Sequence, residues 1–257
     1  MSNDAEVLLV EARGRVRIVR LNRPQALNAA DPALHRRLAE VWAELAADEG
    51  CRAVVLTGQG KAFCAGGDMG HLKAMHDDEA IRTATLDEAR QIVEQLIRFP
   101  YPIVAAVNGP AVGLGCSLAG LSDLVLMEES AYLADPHVSV GLVAADGGAL
   151  TWPAMTSLLR AKEYLYTGDR ISASTAVELG LANRVVADGT AAEEALALAE
   201  RIARQPAGAL KATKRALNKV LERSVLEVLD YALTAESISS ASSEHGRIVA
   251  RFLEKAG

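Results

Sequence analysis

Two kinds of residue in this chain can do chemistry. The first is a histidine and a carboxylate nine positions apart, His137 and Asp146, in the run ADPHVSVGLVAADGGALTW from Ala134 to Trp152. An imidazole can take and give a proton near neutral pH, and a carboxylate beside it can orient the ring and stabilise its charged form. The residues alone also allow a plainer account, in which His137 is a satisfied core residue and Asp146 caps the helix that GGALTWPAM predicts. The second kind is a pair of glycine-rich turns, FCAGGD (Phe63–Asp68) and NGPAVGLGC (Asn108–Cys116). Each follows an aliphatic run, and the second leads into a predicted helix. Glycine lets backbone approach a ligand closely, and a helix start presents free N–H groups with the positive end of its dipole. Such turns suit an anion or a developing oxyanion, although each taken singly can be a tight turn and nothing more.

Other motifs fail on spacing. Gly113-Leu-Gly115 lacks the third glycine of a dinucleotide fingerprint, and GQGKAF is not a phosphate-binding loop. Gly115-Cys-Ser117-Leu-Ala119 approximates a nucleophile elbow, but the last glycine is displaced to Gly120, and the histidine such a triad needs late in the chain, His245, falls on a polar terminal helix. His71 and His76, in GDMGHLKAMH, read as solvent-facing, and Trp152 as a packing residue. No His/Cys/Asp cluster has metal-ligand spacing, so no metal is expected.

The elements that must position these groups can be traced along the 257 residues. Val7–Ala12 and Val16–Asn22 flank RGR as a hairpin. Asp31 and Pro32 open an amphipathic helix to about Asp48. Arg52–Gly58, Pro102–Gly109 and the run DLVLMEES read as buried strands, and Leu86–Phe99 as a helix. Strands alternating with helices imply parallel pairing and an α/β core. From about Met155 the pattern is helical: Ser157–Thr167, Ser172–Leu179, Ala191–Gln205, Ala207–Leu221, Val225–Ser239 and Ser242–Lys255. Leu226, Leu229, Leu233 and Ile238 give more apolar face than a lone helix needs, so this part covers the core or contacts a second subunit.

Composition narrows the function classes. Half the chain is hydrophobic but only 4% is aromatic, so the core is aliphatic. A net charge of −6 without a basic cluster argues against a nucleic-acid surface. Cys51, Cys64 and Cys116 are too far apart for a disulfide framework, which points to a reducing compartment. No leader pattern is read at MSNDAEVLLVEARGR and no apolar run nears the roughly 18 residues of a membrane span, so a soluble cytoplasmic protein is expected.

Five segments in order resemble the crotonase (enoyl-CoA hydratase/isomerase) superfamily across essentially the whole chain: LNRPQALNA (Leu21–Ala29), VVLTGQGKAFCAGGDM (Val54–Met69), PIVAAVNGPAVGLGCSLAGLSDLVL (Pro102–Leu126), DPHVSVGL (Asp135–Leu142) and TGDRISASTAVELGLANRVV (Thr167–Val186). The resemblance implies an α/β fold, a crotonase-like spiral of ββα units over residues 1–195, with a C-terminal α-helical trimerisation region over 196–257. It implies a homotrimer or dimer of trimers, and an acyl-CoA substrate whose coenzyme A is part of the substrate, with no separate cofactor. The family's oxyanion hole falls on the N–H groups of Gly67 and Leu114. Substrate contacts fall on Arg23, Ala26, Ala65, Asp68, Met69 and Pro136, with Arg23 to Ala26 and Ala65 along the coenzyme A channel.

The sequence departs from the family where typical hydratases carry two glutamates: Ser117 and His137 stand there instead. The implied activity is that of a hydratase/isomerase-type lyase in which a His137/Asp146 pair replaces the glutamates and Ser117 assists. The spelling PH, then G-x-V-x-x-D-G, then W-P (His137, Gly141, Val143, Asp146, Gly147, Trp152, Pro153) resembles a subgroup that includes oxocamphor hydrolase. Retro-Claisen carbon–carbon hydrolysis of β-diketones is therefore an alternative, as is acyl-CoA binding with little turnover.

Overall fold

The RGR break turns the chain back on itself: β1 (Leu8–Arg13) and β2 (Val16–Leu21) pair antiparallel, with Arg13 opposite Val16. The structure is a computed structural model and describes residues 7–256, so part of the leader-free N-terminal reading, residues 1–6, lies outside the described residues. β2 continues a sheet with β3 (Ala53–Gly58), β4 (Ile103–Val107), β6 (Leu124–Glu128) and β9 (Arg184–Val186). Within this sheet the pairings after the hairpin are parallel, for example Val54 with Ile103 and Val104 with Leu124.

The central strands AVVLTG and IVAAV are apolar throughout because both their faces are covered. Successive side chains point to opposite faces. Val54, Leu56, Ile103 and Ala105 enter the main core, while Ala53, Val55, Val104 and Ala106 pack under Ala191, Ala195 and Ala199 of α8 (Ala191–Ala203). The main core also takes α1 (Pro32–Ala47), which buries Leu34, Leu38, Val41, Trp42 and Leu45. The Asp31 side chain caps that helix, accepting from Leu34 N–H at 2.9 Å.

A second sheet has three strands: β5 (Ala111–Val112), β7 (Tyr132–Ala134) and β8 (Ile171–Ser172). β4 leads through β5 into α4 (Leu114–Gly120). β6 leads through β7 into the loop 135–147 and α5 (Gly148–Met155). Each of these two rounds gives one strand to each sheet and then a helix, the ββα pattern that the family resemblance implies. α2 (Met69–Asp77) and α3 (Glu79–Arg98) fill the preceding round. α3 begins earlier than Leu86 because Asp78 caps it, accepting from Ala80 N–H at 2.7 Å.

The remainder is helical: α6 (Leu158–Thr167), α7 (Ala173–Leu179), α8, α9 (Ala207–Ser240) and α10 (Ser243–Ala256). The two helices expected over Ala207–Leu221 and Val225–Ser239 are one helix of 34 residues, about 51 Å long. No glycine or proline interrupts it there, and Val225, Leu229 and Leu233 bury continuously against the core while α9 packs on α3 and α5. Ile238, expected on the same apolar face, is 71% exposed. The boundary expected after residue 195 falls inside α8, which seals the β-sheet.

Candidate active site

The two glycine-rich turns meet. Val112 N–H donates to Cys64 O at 2.9 Å, which ties the second turn to the first. Gly66 has φ +95° and Gly113 has φ +52°, conformations that L side chains rarely adopt. A Cβ placed on Gly113 would stand 3.6 Å from Gly66 Cα and 3.6 Å from His137 Cε1. The bends and the imidazole are therefore in direct apposition. Leu114 is the first residue of α4, so its N–H has no partner within the helix. Neither that amide nor the one on Gly67 donates to a backbone carbonyl among the described residues.

Gly67, Leu114 and His137 line one cavity of about 110 Å³, together with Ala65, Met69 and Pro136. That volume takes several water-sized groups, so the chamber suits a small acyl portion and not a nucleotide. Leu72, Met75, Leu86, Ala89 and Leu142 supply its apolar surface.

His137 leaves β7 in helical backbone geometry, which brings its ring back over Asp135. Its Nδ1 donates to Asp135 Oδ1, and Asp135 Oδ2 accepts from Gly148 N–H at 2.6 Å. The Asp135 side chain is wholly buried. The orienting part expected of Asp146 thus belongs to Asp135, two residues from the histidine, and the signal was the D-P-H spelling itself. Asp146 instead approaches the other ring nitrogen, Nε2, at 3.6 Å. It does not cap α5, whose cap residue is Gly147 without a side-chain bond.

A further carboxyl was missed. Glu236, on α9, is 7% exposed and lines the same cavity. Glu236 Oε2, Asp146 Oδ1 and His71 Nδ1 are three of nine buried side-chain N/O atoms without a hydrogen-bond partner among the described residues. Buried polar atoms are nearly always paired. All three residues line the same small cavity, which marks it as the place where a ligand's polar groups belong.

The electrostatics follow from burial and proximity. Burial opposes a charge on His137, but Asp135, then Asp146 and Glu236, outweigh it and push the ring up to about 10. Burial raises Asp135, yet the His137 charge and hydrogen bonds from His137 and Gly148 hold its carboxyl below the usual range. Burial and the Asp146 charge push Glu236 up to about 8, against the opposite pull of His137. At neutral pH the cavity wall therefore carries an imidazolium clamped between two aspartates and a carboxyl that keeps its proton.

Several expected residues do not line this chamber. Ser117 is 1% exposed, absent from the cavity lining, and its hydroxyl donates to Gly113 O at 3.1 Å within its own helix. Arg23 is held by Asp31 at 3.0 Å and by Asp68 at 3.5 Å, outside the cavity with Ala26. Asp68 caps α2 through Gly70 N–H at 2.9 Å. Of the two histidines read as solvent-facing, His71 is buried on the cavity wall, and His76 is half-buried, its Nδ1 donating to Ser240 O at 2.9 Å. α2 is covered by α3, α9 and α10, which the helical pattern of α2 alone does not reveal. His245 is likewise fully buried, donating to Val140 O at 2.7 Å.

Stacked ββα rounds closing over such a cavity define a crotonase-class protein. Residues 11–257 match the family model for enoyl-CoA hydratase/isomerase. An enoyl-CoA hydratase/isomerase from Mycobacterium paratuberculosis has a crystal structure that superposes with a TM-score of 0.94 at 54% identity, covering 96% of this chain and 98% of that one. The 1,2-epoxyphenylacetyl-CoA isomerase of Escherichia coli is 31% identical over 97% of this chain and 96% of its own. The mitochondrial enoyl-CoA hydratase of Pongo abelii is 32% identical over 86% and 76%. The chain belongs to the enoyl-CoA hydratase/isomerase family. Among the described residues no helix is long and apolar enough to cross a membrane.

Proposed function

We propose that this enzyme binds an acyl-CoA thioester with its carbonyl oxygen between the N–H groups of Gly67 and Leu114, and moves protons on the adjacent carbons through the Asp135–His137–Asp146 assembly. The observation that carries this reading is the apposition of both glycine turns and the His137 ring on a single cavity. As the thioester enolises, negative charge grows on the oxygen, and preorganised amides stabilise it more in the transition state than in the ground state. Because its ring keeps its proton well above neutral pH, His137 acts as the acid and not as the base. Asp146, 3.6 Å from Nε2, is the carboxylate that takes a proton, from water or from a substrate carbon. Glu236 holds a second proton against the same wall. Ser117 has no part, since its hydroxyl is committed to Gly113 O.

The reaction is hydration of an enoyl-CoA or isomerisation of its double bond. A second reading, hydrolytic cleavage between the two carbonyls of a β-diketone, is favoured by a histidine standing where typical hydratases have a glutamate. It passes through an oxyanion that the same amides hold. Crotonyl-CoA hydration, assayed beside a panel of cyclic β-diketones, separates the two. His137→Ala lowers the productive activity by about 10²–10⁴-fold; unchanged turnover removes the ring from the mechanism. Tight acyl-CoA binding with no product from either series would make this a binding protein.

Self-association goes with this reading. α9 exposes Leu217, Val220 and Tyr231, and α10 exposes Phe252. The assembly proposed is a homotrimer or a dimer of trimers, and light scattering that returns a monomer would refute it.

A further inference from the structure

The cavity has a second polar wall that the proton chemistry at His137 does not use. His71 on α2 is 8% exposed and borders the cavity beside Leu72, Met75, Leu86 and Ala89. Thr85 reaches it from α3. Its Oγ1 lies 3.1 Å from His71 Nε2 and 2.9 Å from the carbonyl oxygen of Ile81. A hydroxyl has a single proton to give, and a carbonyl oxygen only accepts. The Thr85 proton therefore goes to Ile81 O, and Oγ1 must accept from Nε2–H of His71.

That fixes the tautomer. Burial and the nearby His35 push His71 below the ordinary imidazole range, so the ring is neutral and Nδ1 carries a lone pair. Nδ1 is buried and has no hydrogen-bond partner among the described residues. His35, whose ring centre is 6.4 Å away, does not satisfy it; His35 Nδ1 donates to Glu88 at 2.7 Å. A buried acceptor left unpaired is costly, and a plain hydrocarbon leaves it so. A group with an O–H to give removes the cost, whereas a ketone or carboxylate oxygen meets another acceptor.

We propose that His71 Nδ1 accepts a hydrogen bond from a hydroxyl on the acyl part of the substrate, so that the enzyme selects hydroxylated acyl thioesters over plain aliphatic ones. The proposal rests on the acyl-CoA reading above and adds a substrate class to it. Thr85 is a positioning residue: by holding Nε2–H it keeps the lone pair on Nδ1.

The test is calorimetric binding of saturated, unreactive thioesters of one chain length: hexanoyl-CoA against 4-, 5- and 6-hydroxyhexanoyl-CoA. The hydroxyl is kept beyond C3 so that it is not the group hydration itself forms. At least one hydroxylated member is expected to bind about 5- to 50-fold more tightly than hexanoyl-CoA. The ratio falls to about 1 in His71→Leu, drops several-fold in Thr85→Val and survives in part in His71→Asn, whose amide oxygen can accept near the Nδ1 position. Spectra of ¹⁵N-histidine-labelled wild-type protein read the tautomer independently of any variant, and an Nδ1–H form of His71 overturns the proposal. So does equal binding of all four thioesters, or a ratio that His71→Leu leaves unchanged. If hexanoyl-CoA and its hydroxylated relatives all fail to bind, the acyl-CoA reading itself has failed; if hexanoyl-CoA binds and the ratio is 1, only the part given to His71 has.

Discussion

Replacing Asp135 by asparagine tests the electrostatics of the site most directly. The native ring of His137 is raised from an ordinary 6.5 to about 10, and its side chain is only 12% exposed, so solvent screening is slight. That rise corresponds to about 5 kcal/mol of preference for the charged ring, net of burial and shared among Asp135, Asp146 and Glu236. Asp135 is the largest of the three. With its charge gone, burial is opposed only by the two more weakly felt acids, and the His137 pKa falls by several powers of ten in proton affinity. The sign for stability follows from linkage. A histidine whose folded pKa is raised stabilises the fold fully below its unfolded value and loses that contribution as pH rises through the folded value. The wild type should therefore outlast Asp135→Asn by up to about 5 kcal/mol at pH 6, and the gap should shrink steadily towards pH 10. What persists at pH 10 is the damaged contact with Gly148, where an amide nitrogen can face an N–H; a lost buried hydrogen bond costs about 1–3 kcal/mol. Urea unfolding at pH 6, 8 and 10, with ¹⁵N spectra of the ring, measures both quantities. A gap independent of pH, or a ring still charged at pH 9 in the variant, would refute the reasoning.

Three further outcomes are expected. Leu114→Pro removes one amide N–H at the first position of α4, where proline is tolerated; turnover should fall by about 10²–10³-fold with the circular dichroism spectrum kept, and an unimpaired variant would exclude that amide from the site. Glu236→Gln should unfold at the same denaturant concentration as wild type near pH 4, become the more stable protein by up to a few kcal/mol as pH rises from the ordinary carboxyl value of 4.5 to about 8, and keep that lead unchanged above 8, because over that window the folded carboxyl holds a proton that the unfolded chain has released; a variant less stable at pH 9 contradicts this. Lys214→Met should destabilise by about 3–5 kcal/mol in thermal or urea unfolding, since its ammonium donates to Tyr101 O at 2.7 Å and Asp123 Oδ2 at 2.6 Å, and its loss leaves a partly buried carboxylate without its cation.

Much of the scaffold was legible in one dimension. The runs AVVLTG and IVAAV announce strands buried on both faces, Asp31–Pro32 starts a helix where it should, and the two glycine turns follow their strands. These features are local, because a cap needs only the next few amides and a run of apolar residues reports burial wherever the burying surface comes from. The merger of two expected helices into α9 was not legible, since the surfaces that the long helix packs on, α3 and α5, come from distant parts of the chain.

The sequence by itself determined that strands and helices alternate around two glycine-rich turns, and its resemblance to the family implied stacked ββα rounds with a histidine in the slot of a glutamate. Only the tertiary structure decided what that histidine meets. Asp135 reaches it through a backbone turn after β7, Asp146 approaches from a loop, and Glu236 acts on its charge across the cavity from a helix far along the chain. The same packing turned His71 from an apparent surface residue into part of the cavity wall. Burial and charge proximity depend on distances in space, and those set which groups hold their protons; spacing along the chain fixes such distances only within a turn or a strand.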